Sequence, residues 1–408
     1  MIALDDYTDI VGKKNIDQIR ALARLSEGKK VIMVNSTKDG GGVAEIMHRL
    51  IPLLNELNID CKWLTIEGDE DFFNITKDMH NGLQGDKEVF TQKDYDKYLE
   101  VNRKNSNNID LGDADMVVIH DPQPLALKHF YRNGRAKWVW RCHIDMSRPE
   151  LPLWKFLRKY IVEYDASIFS IAKFSKSLPH PQYLIAPSID PLSDKNRFLH
   201  KTEVEKILRP FGLPKDKHMI LQVSRFDRFK DPVGVVKAFR LVKKEIDCSL
   251  VLAGGTASDD PEGLEVLEEV KKEAGGDPDI KLLLLEPKSD IIINALQRKA
   301  DVVIQKSIKE GFGLVVTEAM WKEKAVIGGG VGGITIQLYN HRTGFLVNSI
   351  EGAAYRIRYL INRPEVAKRV GQKAKLFAAE NYLITRHLRD YLALFSILDN
   401  PGKNIIKV

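Results

Sequence analysis

Short apolar runs alternate with stretches whose apolar residues recur at helical spacing, and the chain does this in two successive sets. Residues 31–35 (Val-Ile-Met-Val-Asn) lead into Gly40-Gly41-Gly42, and 43–57 then follow a helical period: strand, glycine turn, helix. Further strands are expected at 61–66, 116–120, 138–144 and 167–171, with helical patterns between most of them. A polar surface helix is expected over 92–108, ending in a loop-like stretch at 105–108. The second set follows a Pro-, Asp- and Asn-rich segment at 188–198. Its strands, at 219–224, 249–253, 281–285, 301–305, 325–328 and 344–347, alternate with helices over 231–246, 261–274, 289–298 and 314–322. Amphipathic helices over 366–380 and 386–398 close the chain. Strands joined through helices pair in parallel, so each set predicts a doubly wound α/β unit.

The 408 residues suit two domains, and a 44% hydrophobic content is ample for two cores. The expected division is 1–195, 196–384 and a terminal segment, 385–408, that returns to the first domain. Net charge is +6 (62 basic minus 56 acidic), with no extended Lys/Arg block, so nucleic acid is not an expected partner. No apolar run reaches membrane-spanning length, and the first nine residues are acidic where a signal peptide is basic. Those features predict a cytoplasmic protein without a membrane partner. Cys61, Cys142 and Cys248 are scattered, without zinc-site or disulfide spacing, and read as reduced core thiols. A homodimer is the default expectation from common symmetry alone.

Glu310-Gly311-Phe312-Gly313-Leu314-Val315-Val316-Thr317-Glu318 is the most informative chemical signal. It follows an expected parallel strand and runs from a glycine turn into a helix. First-turn amides of such a helix lack internal partners and carry its positive dipole end, which suits a diphosphate. Two flanking carboxylates suit vicinal diols, as on a ribose or a hexose. A glycine-rich left-handed turn with a glutamate near a helix start accounts for the same residues without any ligand. In open parallel sheets ligands sit beyond the carboxyl ends of strands, so the Gly40–Gly42 turn and the Glu310–Gly313 turn both lie where a binding loop belongs.

Ser224-Arg225-Phe226-Asp227-Arg228-Phe229-Lys230-Asp231-Pro232, the Glu310/Glu318 pair and the early glycine turn together resemble retaining glycosyltransferases of the GT-B type, in the sucrose and trehalose synthase group. His120-Asp121-Pro122-Gln123-Pro124 and Trp140-Arg141-Cys142-His143-Ile144-Asp145 narrow the resemblance to trehalose glycosyltransferring synthases. The match spans nearly the whole chain and implies two Rossmann-like domains facing a deep cleft. By that resemblance Arg225 and Lys230 neutralise the donor diphosphate, Glu310 grips donor-sugar hydroxyls, and Gly311, Phe312, Gly313 and Leu314 supply amides. Glu318 holds the ribose, Gly41 and Gly42 let backbone approach the phosphate, and His143 lies close to the donor sugar. Lys38, Asp39, Asp121 and Arg148 lie on loops expected to face an acceptor. Read without the resemblance, Arg225 and Lys230 are surface cations at a strand end and a helix start, and His143 is a satisfied buried side chain. Lys230 at a helix start is electrostatically poor unless an anion is there.

The implied reaction joins glucose from a nucleoside-diphosphate glucose, UDP-glucose or ADP-glucose, to free glucose with retention, giving trehalose. No tightly bound cofactor is implied; Mg2+ is compatible with the diphosphate, but no ligand triplet for it is found and no metal site is assigned. Rival readings are a retaining trehalose phosphorylase, a sugar-nucleotide epimerase on the same fold and a non-catalytic sensor. Gly328-Gly329-Gly330-Val331-Gly332-Gly333 also satisfies the dinucleotide fingerprint GxGxxG, although late in its unit, which leaves a nicotinamide site as a weak alternative.

Overall fold

A computed structural model describes residues 2–38, 40–131, 134–214, 216–255, 261–400 and 402. The chain divides into two compact units, Met1–Ser188 with Ile384–Val408, and Ile189–Leu383. Each holds a six-stranded sheet among the described residues.

In the first unit β1 (Lys30–Asn35), β2 (Asp60–Thr65), β3 (Met116–His120), β4 (Lys137–Arg141), β5 (Ala166–Phe169) and β6 (Gln182–Leu184) lie in the order β2-β1-β3-β4-β5-β6, every pairing parallel. The order reverses at β1, and there the chain enters helix Gly41–Glu56 through the glycine turn. Strand β4 stops at Arg141 rather than at 144. The reason is local: the His143 N–H donates to the Asp121 carboxylate at 2.7 Å instead of to a neighbouring strand. The helix over Gln92–Asn108 also differs from expectation. It stays helical to its end because Asn105 is buried and bonded to the main chain of Glu67 and Val101. Tyr98, Val101 and Asn102 are buried on the same helix, so one face covers core while the opposite face lies on the surface as expected.

The second unit holds β7 (His218–Val223), β8 (Cys248–Gly254), β9 (Ile280–Leu284), β10 (Val302–Gln305), β11 (Val326–Gly329) and β12 (Phe345–Val347), ordered β12-β11-β10-β7-β8-β9 and again all parallel. Alternate strand residues feed two cores, as the pleat requires. Ile220, Leu250, Ile304 and Ile327 join one cluster, while Leu221, Val251, Val303 and Val326 join the other.

The division falls at Ser188/Ile189, ahead of 195/196, because the intervening segment is bonded into the second unit. Asn294 donates to the carbonyls of Asp194 and Arg197, both at 2.8 Å, and Lys322 Nζ donates to Asn196 at 2.9 Å. At the other end, helix Ile384–Asp399 packs on helices Lys13–Arg24 and Gly41–Glu56 of the first unit. No helix among the described residues is long and apolar enough to cross a membrane. All three cysteines are buried and unpaired.

Candidate active site

In the second unit, two loops at the carboxyl ends of β7 and β10 are joined at several points. After β7 the chain passes Arg225, whose side chain is 67% exposed and 3.4 Å from Asp227, and makes a single 3-10 turn, Arg228–Lys230. Asp231 takes a left-handed conformation (φ 49°) and caps helix Pro232–Lys243 by accepting from Gly234 N–H at 3.0 Å. That turn is fixed from below by Gln222, which donates to the Lys230 carbonyl at 2.8 Å. It is fixed from the side by Ile308 N–H, which donates to the Phe229 carbonyl at 2.7 Å, and by an ion pair between Lys306 and Asp231. Lys230 Nζ then reaches Glu310 Oε2 at 2.8 Å, and Ser307 Oγ donates to the same oxygen at 3.1 Å. Glu310 is buried at 8% exposure. A cation and a hydroxyl thus both address one oxygen of this sheltered carboxylate.

Gly313 follows in a left-handed conformation (φ 85°) as the N-cap of helix Leu314–Trp321, with no side chain capping the helix. The Val316 N–H turns back to the Gly313 carbonyl at 2.9 Å, which leaves the amides of Leu314 and Val315 to the solvent or a ligand. Gly311 and Leu314 are partly exposed on this turn, and Phe312 is buried. The turn's outer carbonyls are held by Gln337, which donates to the Phe312 carbonyl at 2.7 Å and accepts from Thr317 at 2.6 Å. Glu318, one helical turn on, is buried at 3% and accepts from Gln297 at 3.1 Å. Lys322 lies a turn further, donating to the Glu318 carbonyl at 3.2 Å; burial pulls its pKa down to about 7 against the opposing pull of the Glu318 charge.

The glycine run 328–333 packs beneath this turn. A Cβ on Gly332 would stand 1.6 Å from the Glu310 carbonyl oxygen, and one on Gly333 2.5 Å from Phe312 Cα. Gly332 also has φ +46°. The run is glycine because two backbones touch there, which accounts for the fingerprint without a dinucleotide.

In the first unit, helix Gly41–Glu56 starts from Gly40, again with no side-chain cap. Gly40 and Gly41 have φ of 73° and 74° and open space where a Cβ would be. Gly42 is partly exposed on the first turn. Lys38, exposed beside that turn, lies 5.9 Å above the Trp63 ring, and its carbonyl meets His48 Nε2 at 3.0 Å. Asp39 lies outside the described residues. Arg148 is exposed on the loop after β4.

His143 and Asp121 come together at the ends of β4 and β3. Asp121 is left-handed (φ 63°); its N–H donates to the Arg141 carbonyl at 2.8 Å and its carboxylate receives the His143 N–H. Burial lifts the Asp121 carboxyl to about 6, with the His143 N–H bond and the Arg141 charge pulling the other way. His143 Nε2 lies 3.0 Å from Nδ1 of His120. Burial, then the Arg141 charge, hold both rings below the usual histidine range, His120 at about 3 and His143 well below 6.5. His120, Arg141 and His387 complete this cluster without having been singled out individually from the sequence. The first two lie in the stretches that carried the resemblance, while His387 sits on a helix whose only signal was its apolar stripe. Gln297 and Ser307 were likewise unmarked, since each acts across the fold, and Gln337 stood out only as lying in Thr335-Ile336-Gln337, where the resembled family usually has an acidic residue. Among the described residues no group of three or more His, Cys, Asp or Glu side chains is arranged to hold a metal ion.

Residues 203–377 match the family model described as Glycosyl transferases group 1, and residues 33–176 match the one described as Trehalose synthase, N-terminal domain. A solved E. coli trehalose-6-phosphate protein bound with UDP-2-fluoro glucose superposes with a TM-score of 0.75 at 14% identity, covering 90% of this chain and 99% of that one. The two parallel-sheet units and the match to group 1 define a glycosyltransferase of the GT-B class. A trehalose synthase of Thermococcus litoralis is 45% identical over 398 residues, 96% of each chain, and one of Rubrobacter xylanophilus is 41% identical over 404 residues, 97% of each. The chain belongs to the trehalose synthase family.

Proposed function

We propose that the protein transfers glucose from a nucleoside-diphosphate glucose to the anomeric hydroxyl of free glucose, with retention, to form trehalose. The observation that carries this reading is the Lys230–Glu310 pair at the uncapped start of helix Leu314–Trp321. It sets a cation, a carboxylate and open amides within one turn, the donor set a sugar diphosphate needs. Arg225 and Lys230 neutralise the diphosphate, Glu310 takes hydroxyls of the transferred glucose, and Glu318 takes the ribose diol. Gly311 to Leu314 give amides to phosphate. From the family resemblance, Gly41, Gly42 and His143 of the first unit are assigned to the donor, and Lys38, Asp39, Asp121 and Arg148 to the acceptor.

Retention follows from substitution on one face. The bond from the anomeric carbon to the phosphate oxygen breaks through an oxocarbenium-like state. The acceptor oxygen bonds to the same face, and its proton passes to the departing phosphate. Glu310 is engaged by Lys230 and Ser307, an arrangement that suits holding hydroxyls better than covalent attack. No resident cofactor enters this scheme; Mg2+, if it accompanies the donor, would shield the diphosphate charge. The same reading makes the protein a cytoplasmic homodimer.

The test is an assay of UDP-glucose, ADP-glucose and glucose 1-phosphate, each with free glucose, with product linkage and anomeric configuration read by NMR. α,α-Trehalose from a nucleotide donor supports the proposal. Trehalose from glucose 1-phosphate alone turns it into a phosphorylase, and conversion of the donor without acceptor turns it into an epimerase.

A further inference from the structure

His120 and Arg141 are register partners on β3 and β4, so their side chains leave the sheet on one face. Both are buried, at 2% and 0% exposure. Helix Ile384–Asp399 adds two more buried groups whose charges reach Arg141: His387, and Tyr391, stacked on it at 5.1 Å. Four buried polar atoms here have no hydrogen-bond partner among the described residues, namely Nε and Nη1 of Arg141, Nε2 of His120 and Nδ1 of His387.

The four atoms sort by chemical kind. Guanidinium nitrogens only donate. His387 gives its other ring proton to the Ala186 carbonyl, which leaves its Nδ1 a lone pair. A neutral imidazole beside a guanidinium is stabilised with a lone pair, not an N–H, facing the cation. His120 Nε2, unpartnered on the sheet face it shares with Arg141, is on that ground the acceptor end of its ring, with the ring proton on Nδ1. That nitrogen is 3.0 Å from His143 Nε2, with the two rings within 11° of parallel. One of the two must donate; the neighbouring Arg141 decides that it is His120. His143 then accepts at Nε2 and carries its own proton on Nδ1.

We propose that His120 is a positioning residue that fixes His143 in the Nδ1–H tautomer, so that His143 meets its substrate as a neutral hydrogen-bond donor and not as a base. The inference rests on the reading of His143 as a substrate-facing group, but its tautomer is a property of the free protein. The charged and titratable groups around the pair come from three elements: Asp121 beyond β3, Arg141 and Cys142 on β4 and its exit, and Arg386, His387 and Tyr391 on the last helix. Asp121 does not compete for the ring, since its carboxylate takes the His143 main-chain N–H. Neutrality follows from burial next to Arg141.

The experiment is nitrogen-15 NMR of the histidine rings in the full-length, ligand-free protein, compared with His120→Phe and His120→Asn. Wild type should show His143 with a protonated Nδ1 and a bare Nε2, unchanged across neutral pH. In His120→Phe the ring should cross to the commoner Nε2–H tautomer and begin to titrate, while kcat falls about tenfold with KM for the acceptor little changed. His120→Asn, whose amide N–H replaces the Nδ1–H donor, should restore the wild-type tautomer and most of kcat. An Nε2–H tautomer in wild type overturns the proposal, as does a His120→Phe protein with unaltered His143 signals. Should the assayed reaction prove to be another one, the tautomer measurement still stands or falls alone.

Discussion

Lys230 and Glu310, 80 positions apart, meet at 2.8 Å across the loops that follow β7 and β10. Each loop has its own fixed backbone, so the pair is a consequence of the sheet order, which makes β7 and β10 neighbours. With side chains 21% and 9% exposed, the ion pair is largely sheltered. An arriving diphosphate would compete for the ammonium that Glu310 now holds.

That competition is measurable as a double-mutant cycle. Lys230→Met and Glu310→Gln should each lower stability by roughly 1–2 kcal/mol, with a coupling near 1 kcal/mol in the free protein, because removing one partner leaves the other charge sheltered and unmatched. Saturating nucleoside diphosphate should shrink the coupling. Thermal unfolding of the four proteins with and without nucleotide reads both; coupling unaffected by nucleotide would place the anion elsewhere.

Arg225 differs, being 67% exposed at its side chain and engaged, among the described residues, by Asp227 at 3.4 Å. Arg225→Ala should leave stability within about 0.5 kcal/mol of wild type. Turnover should fall by roughly two to three orders of magnitude, the cost of one deleted donor to a developing negative charge. Steady-state kinetics on the purified variant decides it, and near-normal kcat would remove Arg225 from the chemistry.

The backbone contact at Gly332 makes a sharper structural prediction. A methyl group 1.6 Å from the Glu310 carbonyl oxygen cannot be accommodated where φ is +46°. Gly332→Ala should cost at least about 3 kcal/mol or displace the Glu310 turn, abolishing transfer in either case. Wild-type protein should show no binding of NADH by fluorescence titration, since the glycines serve packing.

Acid should unfold the first unit early. His120, His143 and His387 have folded pKa values below the ordinary 6.5, His120 at about 3, so the unfolded chain takes up protons the folded chain refuses. Stability is full above pH 6.5 and falls as pH drops toward 3, by about 1.4 kcal/mol per pH unit for each such histidine. Asp121 works the other way: raised from 3.8 to about 6, its contribution is present at low pH and is lost as pH rises through 6, offsetting one histidine between those values. Urea midpoints at roughly pH 7 and pH 5 should therefore differ clearly, and His387→Phe should flatten the difference.

Strands were readable from sequence because parallel strands buried on both faces are continuous apolar runs, as in 302–305 and 116–120. Each loop residue assigned to the donor could be placed because it follows such a run. Three-residue β6 escaped notice, being too short to show a period. The helix over 92–108 misled because Asn102 and Asn105 look solvated, whereas both are bonded to main chain in the interior. Partners of site residues stayed hidden for a different reason: Gln297, Ser307, Gln337 and His387 are defined by where the sheets bring them, and no local pattern encodes that.

The helix Ile384–Asp399 belongs to the unit that the chain began building nearly four hundred residues earlier. During synthesis, Arg141 and His120 must wait for His387 and Tyr391 until the whole second unit has been made. The unit made first is thus the last to be completed, and a nascent chain stalled before this helix carries a buried arginine with its final neighbours missing.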